Sequence, residues 1–328
     1  MNKAVLAAVV LTSMSAGALA QNNVQIYGLL DAAIVHESGG AKGSAPKLES
    51  GVSNGSRIGF RGNEDLGDGL SALFVLEAGI LIDTGASDQN GLLFGRQAYA
   101  GVRKKDVGTL AVGRQYTPIY QALTMIDPSA NNYGGAAGQL MSGEKAGTRQ
   151  NNTVSFSSDK LAGFSGQLAY GFGEVSGNAR GSRQVGGSLT YELGRLTMRT
   201  AYNRTNNATA TDSARNTLTL AKYDFGMLTA GVGVGTNKGL GTTDSRDYIA
   251  ALTVPFGPHT VMATYIKKDD RSMSNKFDAH QCASTYIYNF SKRTLVYAAY
   301  AKLSNTHFTT TKFGTGDREI DLGIKHTF

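Results

Sequence analysis

The five histidines are the first side chains to consider for chemistry, because imidazole is a common metal ligand and a common general acid or base. They stand far apart in the chain, at His36, His259, His280, His307 and His326. No two of them show the close spacing that places two ligands on one zinc ion. The sequence therefore predicts no metal site, and it offers no cofactor-binding motif.

Two glycine-rich stretches could be mistaken for nucleotide-binding motifs. Gly138 to Gly143 resembles the start of a phosphate loop, but Glu144 and Lys145 follow it where that motif needs Lys followed by Ser or Thr. Gly231 to Gly235 lies inside a strand pattern with no helix signal after it. The G-x-S-x-G motif of serine hydrolases is absent, so we predict that the chain is not an enzyme.

A long insert, Pro118 to Thr148, separates two predicted strands. We find in it neither the alternation of a strand nor a sustained apolar stripe at helical spacing, and ordered loops of this length usually have a function. Its only carboxylates are Asp127 and Glu144, and glycines at Gly134, Gly135 and Gly138 give its backbone freedom to fold back. Its scattered apolar residues suit packing against a surface. We predict a loop tucked into the structure that the rest of the chain encloses.

The first twenty residues, Met1 to Ala20, have the pattern of a signal peptide. Lys3 precedes a short apolar core, and Ala18-Leu19-Ala20 is a small-x-small cleavage signal. The alternative is a buried N-terminal helix. We predict an exported protein whose mature chain, 21–328, begins near Gln21.

The composition indicates a β protein. Among 328 residues there are 42 glycines but only 5 prolines, together with 15 tyrosines and 13 phenylalanines, which favours many strands and turns. The mature chain has no apolar run long enough for a membrane-spanning helix. The formal charge of +7 comes from scattered residues, which argues against a nucleic-acid-binding arm and permits an interior that favours anions. The single cysteine, Cys282, excludes an intramolecular disulfide, and we predict that it is packed.

About sixteen segments alternate apolar and polar residues, as strands with two different faces do. In the last one, Ile320, Leu322 and Ile324 fall on one face. The predicted strands are Asn23 to His36, Ser56 to Asp65, Leu70 to Leu81, Leu92 to Lys104, Thr109 to Tyr116, Asn151 to Ser158, Gly163 to Gly173, Gln184 to Glu192, Leu196 to Thr205, Arg215 to Asp224, Met227 to Thr236, Arg246 to Phe256, Thr260 to Asp269, Ala279 to Asn289, Thr294 to Ser304 and Arg318 to Phe328.

The connections between these segments favour a barrel over a sandwich, which would also show alternation. Tight turns such as Asp224-Phe225-Gly226 regularly follow long polar loops such as Asn206 to Ala214. Short turns on one rim and long loops on the other are typical of outer-membrane barrels. A sheet in lipid cannot keep an edge, so the last strand is expected to pair with the first.

Several stretches resemble the general Gram-negative porins of the betaproteobacterial type. They keep the order of that family and span nearly all of the predicted mature chain. The stretches are Val24 to Asp31, Ser56 to Gly67, Leu93 to Tyr99, Gly108 to Tyr116, Asn151 to Val154, Tyr288 to Thr294 and Gly323 to Phe328.

This resemblance implies an all-β, sixteen-stranded antiparallel transmembrane barrel, usually a homotrimer, whose long third loop folds into the pore. The insert 118–148 falls where the family has that constricting loop. The resemblance also implies an outer-membrane location among lipid and lipopolysaccharide, passive passage of small hydrophilic solutes and ions, and a C-terminal aromatic, here Phe328, that the assembly machinery reads. The chain departs from the family at Thr117, where an acidic residue often stands, and it has fewer acidic residues along the loop.

The family also places basic residues on the wall opposite the loop. Arg57, Arg96 and Arg149 match those positions, and Arg61 and Arg114 are further candidates. The candidates on the loop side are Asp127, Glu144, Tyr116, Tyr120 and Tyr133. If arginines outnumber carboxylates at the narrowest point, small anions pass faster than cations, so a mild anion preference is expected.

Three alternatives stay open at this point. The arginines could instead bind lipopolysaccharide phosphates or pair with carboxylates at a rim. A barrel enzyme such as a lipase would need a serine and a histidine near one rim, and a secreted β-sandwich adhesin would lack the asymmetry between short turns and long loops.

Overall fold

A computed structural model describes residues 23–39, 43–141, 146–273, 277–304 and 316–328. The predicted signal peptide, Met1 to Ala20, lies outside these ranges. Within them, sixteen long antiparallel strands form one closed sheet, so the predicted sixteen-stranded all-β barrel is confirmed. Short strands at Pro46–Ser50 and Ala86–Ser87 lie in its loops. In the described part of the chain, no helix has both the length and the hydropathy to cross a membrane.

The sixteen barrel strands are numbered in chain order. They are β1 (Asn23–Ser38), β2 (Arg57–Gly67), β3 (Leu70–Leu81), β4 (Gln97–Lys104), β5 (Gly108–Tyr116), β6 (Arg149–Ser158), β7 (Phe164–Gly171), β8 (Gln184–Leu193), β9 (Leu196–Asn206), β10 (Ser213–Asp224), β11 (Thr229–Lys238), β12 (Asp244–Phe256), β13 (His259–Asp270), β14 (Ala279–Asn289), β15 (Thr294–Ser304) and β16 (Arg318–Thr327).

The barrel closes between β1 and β16, which pair from Leu29 opposite Thr327 to Ser38 opposite Arg318. Beyond the last strand, Gly28 and Phe328 exchange two main-chain hydrogen bonds of 3.1 and 3.0 Å. The sheet therefore has no free edge, as a hydrocarbon surrounding requires of a spanning sheet. This closure excludes the open sandwich.

The two faces of the sheet differ as the alternation predicts. On β16, Ile320, Leu322 and Ile324 are 45–54% exposed, whereas Glu319 and Asp321 are buried. The exposed apolar face is the outside of the barrel and the polar face lines its interior. Cys282 lies on the exposed face, so the prediction that it is packed is wrong. Its strand alternates regularly, but the face that Cys282 shares looks outward and away from the interior.

The fourth strand begins at Gln97 and not at the predicted Leu92. Gln89, Asn90 and Gly91 have positive φ values of 53°, 62° and 77°, which mark a turn just before Leu92. The apolar pair Leu92-Leu93 continues this irregular segment with both side chains exposed. Apolar residues on an exposed turn imitate the start of a strand, which explains the error.

The insert after β5 opens with a helix, α1 (Pro118–Ile126), which the sequence analysis missed. Thr117 is its N-cap and accepts a hydrogen bond from the Tyr120 amide at 3.2 Å. A proline at the first helical position behind a threonine cap is a known start signal. Ile119, Ala122, Leu123 and Ile126 supply an apolar stripe that spans only nine residues, too few to stand out as a sustained period.

Candidate functional site

Helix α1 packs on the inner wall formed by strands β8 to β11. Its apolar stripe joins inward-facing residues such as Leu218 and Leu220 in one buried cluster. A Cβ atom built on Gly231 would lie 2.5 Å from Ile126 Cδ1, so any larger residue there would displace the end of the Ile126 side chain. Each buried Leu or Ile side chain contributes about 1.5–3 kcal/mol, which fastens the helix to the wall. Gly231 thus lies in close contact with the helix.

The middle of the loop lies near strands β14 and β16 and the segment before β2, and hydrogen bonds hold it there. The Tyr133 amide donates to Val52 O at 2.7 Å, and the Gly134 amide donates to Asp321 Oδ2 at 3.2 Å. Gln281 Nε2 donates to Gly135 O at 2.7 Å. These partners belong to the segment before β2 and to strands β16 and β14. The loop therefore lies against inward-facing side chains from β8 round to β16.

The glycines of this segment permit close approach to the wall. Neither Gly134 nor Gly135 has a positive φ, so the conformational freedom predicted for them is not what the structure uses. A Cβ on Gly135 would instead overlap the Ala283 side chain on β14. Tyr133 is buried, contacts Tyr297 edge to face at 5.0 Å and shares a 2.8 Å hydrogen bond with Ser53. Tyr133 is therefore an anchor and does not line an aperture.

Asp127 holds the loop together and does not face the interior space, which corrects its prediction as a pore-lining charge. Its side chain is 1% exposed. The carboxylate accepts hydrogen bonds from Ser129 Oγ at 2.6 Å and from the amides of Ser129, Asn131 and Ala137 at 2.8–3.2 Å. Burial raises the pKa of Asp127, and the hydrogen bonds it accepts oppose that rise. Glu144, the other predicted carboxylate, lies outside the described residues.

Thr117 closes the base of the loop. Its amide donates to Thr148 O at 3.1 Å, and its hydroxyl donates to Gly147 O at 2.9 Å while capping α1. An aspartate can also cap a helix, so threonine can take the capping role of the acidic residue often found in the resembling family. The substitution removes one negative charge from this part of the interior.

The wall from β2 to β6, across from the loop contacts, carries the predicted arginines. Register places Arg57 opposite Leu29 and Gly79, on the same face as the inward-facing Tyr27 and Glu77. Arg61 faces inward as well and donates from Nε to Gln25 Oε1 at 2.9 Å. The alternation of the sequence along this strand had indicated that Arg57 and Arg61 both face inward.

Glu77 on β3 is a member of this group that sequence reasoning missed. Arg96 Nε donates to Glu77 Oε1 at 2.7 Å, Arg57 Nη1 lies 3.8 Å from the same oxygen, and Tyr27 donates to Oε2 at 3.0 Å. Glu77 and Arg96 are 3% and 7% exposed. Pairing with a carboxylate, one of the alternatives for these arginines, is therefore realised for Arg96. Glu77 is the only charged residue in LSALFVLEAGIL, which was the available signal.

Two tyrosines connect the arginines to the start of the loop. Tyr116 Oη accepts hydrogen bonds from Arg96 Nη2 at 2.9 Å and from Arg149 Nη2 at 3.3 Å. The Arg149 guanidinium lies 4.9 Å from the centroid of the Tyr116 ring, and Tyr120 of α1 stacks on that ring at 5.2 Å. The structure thus brings together Arg57, Arg96, Arg149, Tyr116 and Tyr120, and we call these five residues with Glu77 the arginine cluster.

Arg114 has hydrogen-bond partners different from those of the cluster. Its Cα lies opposite Ala98 on β4, on the face of the exposed Val102 and Val112, next to a register shift that follows Gly113. Its Nε donates to Gly95 O at 2.8 Å, and its Nη1 donates to Asn151 Oδ1. These contacts place the Arg114 guanidinium beside Gly95 and Asn151, and its place at the constriction stays a prediction.

The arginine cluster carries three positive charges and one negative charge. Glu77 is shared by Arg96 at 2.7 Å and Arg57 at 3.8 Å, so the cluster keeps a net charge of +2. Charges on the wall of a narrow passage act on ions at short range, where bulk water screens them little. An excess of positive charge attracts small anions and repels small cations.

Comparisons with known proteins agree with this geometry. A sequence model of the family described as Gram-negative porin matches residues 5–307. Outer membrane porin protein 32 of Delftia acidovorans is 30% identical over an alignment that covers both chains completely. An outer membrane porin protein of Bordetella pertussis is 27% identical, again over all of both chains.

Solved structures show the same likeness. The anion-selective porin from Comamonas acidovorans superposes with a TM-score of 0.83 at 26% identity, covering 94% of this chain and all of that one. OmpT of Vibrio cholerae superposes with a TM-score of 0.72 at 16% identity, covering 94% of this chain and 99% of the OmpT chain. At that identity the likeness is one of fold alone.

Proposed function

The chain belongs to the Gram-negative porin family, and from that premise we propose that its passage is narrowed between the loop 118–148 and the arginine cluster. General diffusion of small hydrophilic solutes through an outer-membrane barrel is the function of such a porin. The observation that carries the proposal is the position of the loop, which contacts the inner wall from β8 round to β16 and leaves the arginine-bearing strands facing it.

The proposed passage is mildly anion-selective. The cluster has three arginines for one carboxylate, Glu77, and Asp127, which could have added a negative charge from the loop, is buried inside it. The anion selectivity named for the Comamonas acidovorans porin, a full-length structural neighbour, supports the same direction. We also propose export by the signal peptide, assembly as a homotrimer and contact with lipopolysaccharide, as family membership implies.

Planar-bilayer recording tests this function. The purified full chain, added to a bilayer in a potassium chloride gradient, is expected to give stepwise conductance. Its zero-current potential is expected to be shifted from zero towards the equilibrium potential of chloride, which we call the chloride side. Closure of one inserted particle in three equal conductance steps would support the trimer. A potential on the potassium side would contradict the anion preference, and a barrel that inserts without conducting would contradict the pore.

A further inference from the structure

The last strand carries an inward-facing lysine that is not part of the arginine cluster. Lys325 on β16 faces inward, because Glu319 and Asp321 on its face of the strand are buried while Ile320 and Ile324 on the other face are exposed. It lies four residues beyond Asp321, which accepts a hydrogen bond from the loop, and this is roughly 13 Å further towards the short turns. Lys325 is partly exposed, on the side of the loop that faces the short turns.

The charge of Lys325 is available to a solute in the passage. Within the part of the chain that the structure describes, Lys325 has no ion pair and no hydrogen bond. Register places it opposite Asp31 on β1. The Asp31 carboxylate is fully buried and accepts hydrogen bonds from the Tyr297 hydroxyl at 2.7 Å and from the Asn54 amide at 2.8 Å. A solute can therefore contact the ammonium group of Lys325 but not this carboxylate.

The inward neighbours of Lys325 are aliphatic, although the interior of a porin barrel is mostly polar. Leu295 on β15 lies directly opposite Lys325, and Ile287 on β14 is the diagonal neighbour of Leu295. Opposite side chains on paired strands have Cβ atoms about 5 Å apart, and diagonal ones about 7–8 Å apart. Leu295 and Ile287 are partly exposed and pack against the buried cluster that contains Tyr133 and Tyr297. We call Lys325, Leu295 and Ile287 the lysine patch.

The lysine patch continues towards the arginine cluster across β1. Leu29 shares the inward face of this strand with Tyr27 and Asp31, and it is partly exposed. It lies opposite Thr327 on β16 and opposite Arg57 on β2. An anion that moves from the arginine cluster towards the short turns therefore meets a further cation among aliphatic side chains.

A second inward-facing lysine, on the far wall, has different neighbours. Lys222 on β10 shares the inward face with the buried Leu220 and, like Lys325, lies two residues before the end of its strand. Thr197 and Gly231 lie opposite Lys222. The two lysines thus have the same charge at a matching distance from the short turns, but only Lys325 lies directly opposite an aliphatic side chain.

We propose that the lysine patch binds small carboxylates that carry an apolar body, with the carboxylate on Lys325 and the apolar body on Leu295 and Ile287. The proposal rests on the proposed pore and adds a preference among anions, because the arginine cluster acts on the charge of a solute. One charged group beside apolar side chains is a usual composition of a small-molecule site. Such an anion is expected to stay in the passage longer than an equally charged polar one.

The test compares hexanoate with gluconate, which have the same number of carbon atoms and the same charge but an apolar and a hydroxylated body. Each is titrated at neutral pH against the single-channel chloride current of the purified full chain. The concentration that gives half of the maximal reduction in current is the half-effect concentration. It is expected to be roughly tenfold lower for hexanoate in the unaltered protein, because about two methylene groups leave water on the patch.

Three variants separate the contributions of charge and apolar surface. Lys325→Gln removes the charge that both anions use, so both half-effect concentrations are expected to rise by roughly fourfold while their ratio persists. Leu295→Asn removes apolar surface, so the ratio is expected to fall to roughly threefold or less. The matched control Lys222→Gln is expected to change neither concentration by more than roughly twofold, because salt screens a charge on the far wall. Ile287→Thr replaces Leu295→Asn if the latter does not assemble.

The outcomes distinguish a failed site from a failed pore. Equal half-effect concentrations for the two anions in a conducting, anion-selective channel would overturn the site and leave the pore intact. An unchanged ratio in Leu295→Asn, or a loss in Lys222→Gln as large as that in Lys325→Gln, would also overturn the site. If the protein does not conduct, saturation-transfer NMR of hexanoate with the protein in deuterated detergent tests the same contact. Equal transfer to the alkyl chain from the unaltered protein and from Leu295→Asn would then overturn the site.

Discussion

Replacing Asp127 with alanine is expected to free the middle of the loop from the inner wall and to raise single-channel conductance, with larger current fluctuations. The carboxylate accepts hydrogen bonds from three main-chain amides and one hydroxyl within a buried turn. Each buried amide left without an acceptor costs about 1–3 kcal/mol. The barrel strands keep their own hydrogen bonds, so the variant is expected to fold and insert.

The matched control is Asp83→Ala, which removes a carboxylate from an exposed turn. It is expected to conduct as the unaltered protein does. Asp127→Asn keeps one acceptor oxygen for part of the hydrogen-bond network. Its single-channel conductance is expected to lie between those of Asp127→Ala and Asp83→Ala. Conductance of Asp127→Ala indistinguishable from that of Asp83→Ala would show that this network does not hold the loop in the passage.

Removing two of the three positive charges of the arginine cluster is expected to abolish the anion preference. A unit charge about 5 Å from an ion is worth about 0.8 kcal/mol even at the dielectric constant of water, a factor of about four in occupancy. The variant Arg57→Gln, Arg149→Gln leaves Arg96 balanced by Glu77. Its zero-current potential in about 0.1 M potassium chloride, where the screening length is about 10 Å, is expected to move towards zero.

Glu77→Gln changes the charge of the arginine cluster in the opposite direction and so tests the same link between cluster charge and ion selectivity. It leaves the cluster with all its cations and without its carboxylate, so the zero-current potential is expected to move further to the chloride side. The charge control is Arg195→Gln with Lys292→Gln, two exposed cations of the short turns. A shift in this control as large as that of Arg57→Gln, Arg149→Gln would mean that overall charge, and not the cluster, sets selectivity.

The strands were predictable from the sequence because a barrel wall imposes one simple rule on every residue. Lipid on one side and water or packed loop on the other make the period of two visible from β1 to β16. Arg57 and Arg61 could be oriented from the same rule. Arg114 could not, because it directly follows Gly113 at an irregularity in the pairing with β6, where alternation does not fix the direction of a side chain.

The insert 118–148 was recognised as a segment between two strands, but its internal structure was not predictable from residue types alone. Asp127 has the same side chain whether it faces water or caps a turn, and only the fold shows that four donors surround it. Glu77 became part of the site through pairing between strands, which sequence spacing does not display. Helix α1 could have been predicted from the sequence, because Thr117-Pro118 and the short apolar stripe are ordinary helix signals.

The most direct measurement of the central claim is chemical access to α1 from the aqueous passage. In a Cys282→Ser background, Thr124→Cys places a thiol on the face of the helix away from the wall, and Leu123→Cys places one on the buried face. A small sulfonated thiosulfonate reagent is expected to lower single-channel conductance for Thr124→Cys and to leave Leu123→Cys unchanged. Unaltered conductance of a labelled Thr124→Cys channel would contradict a loop that narrows the pore.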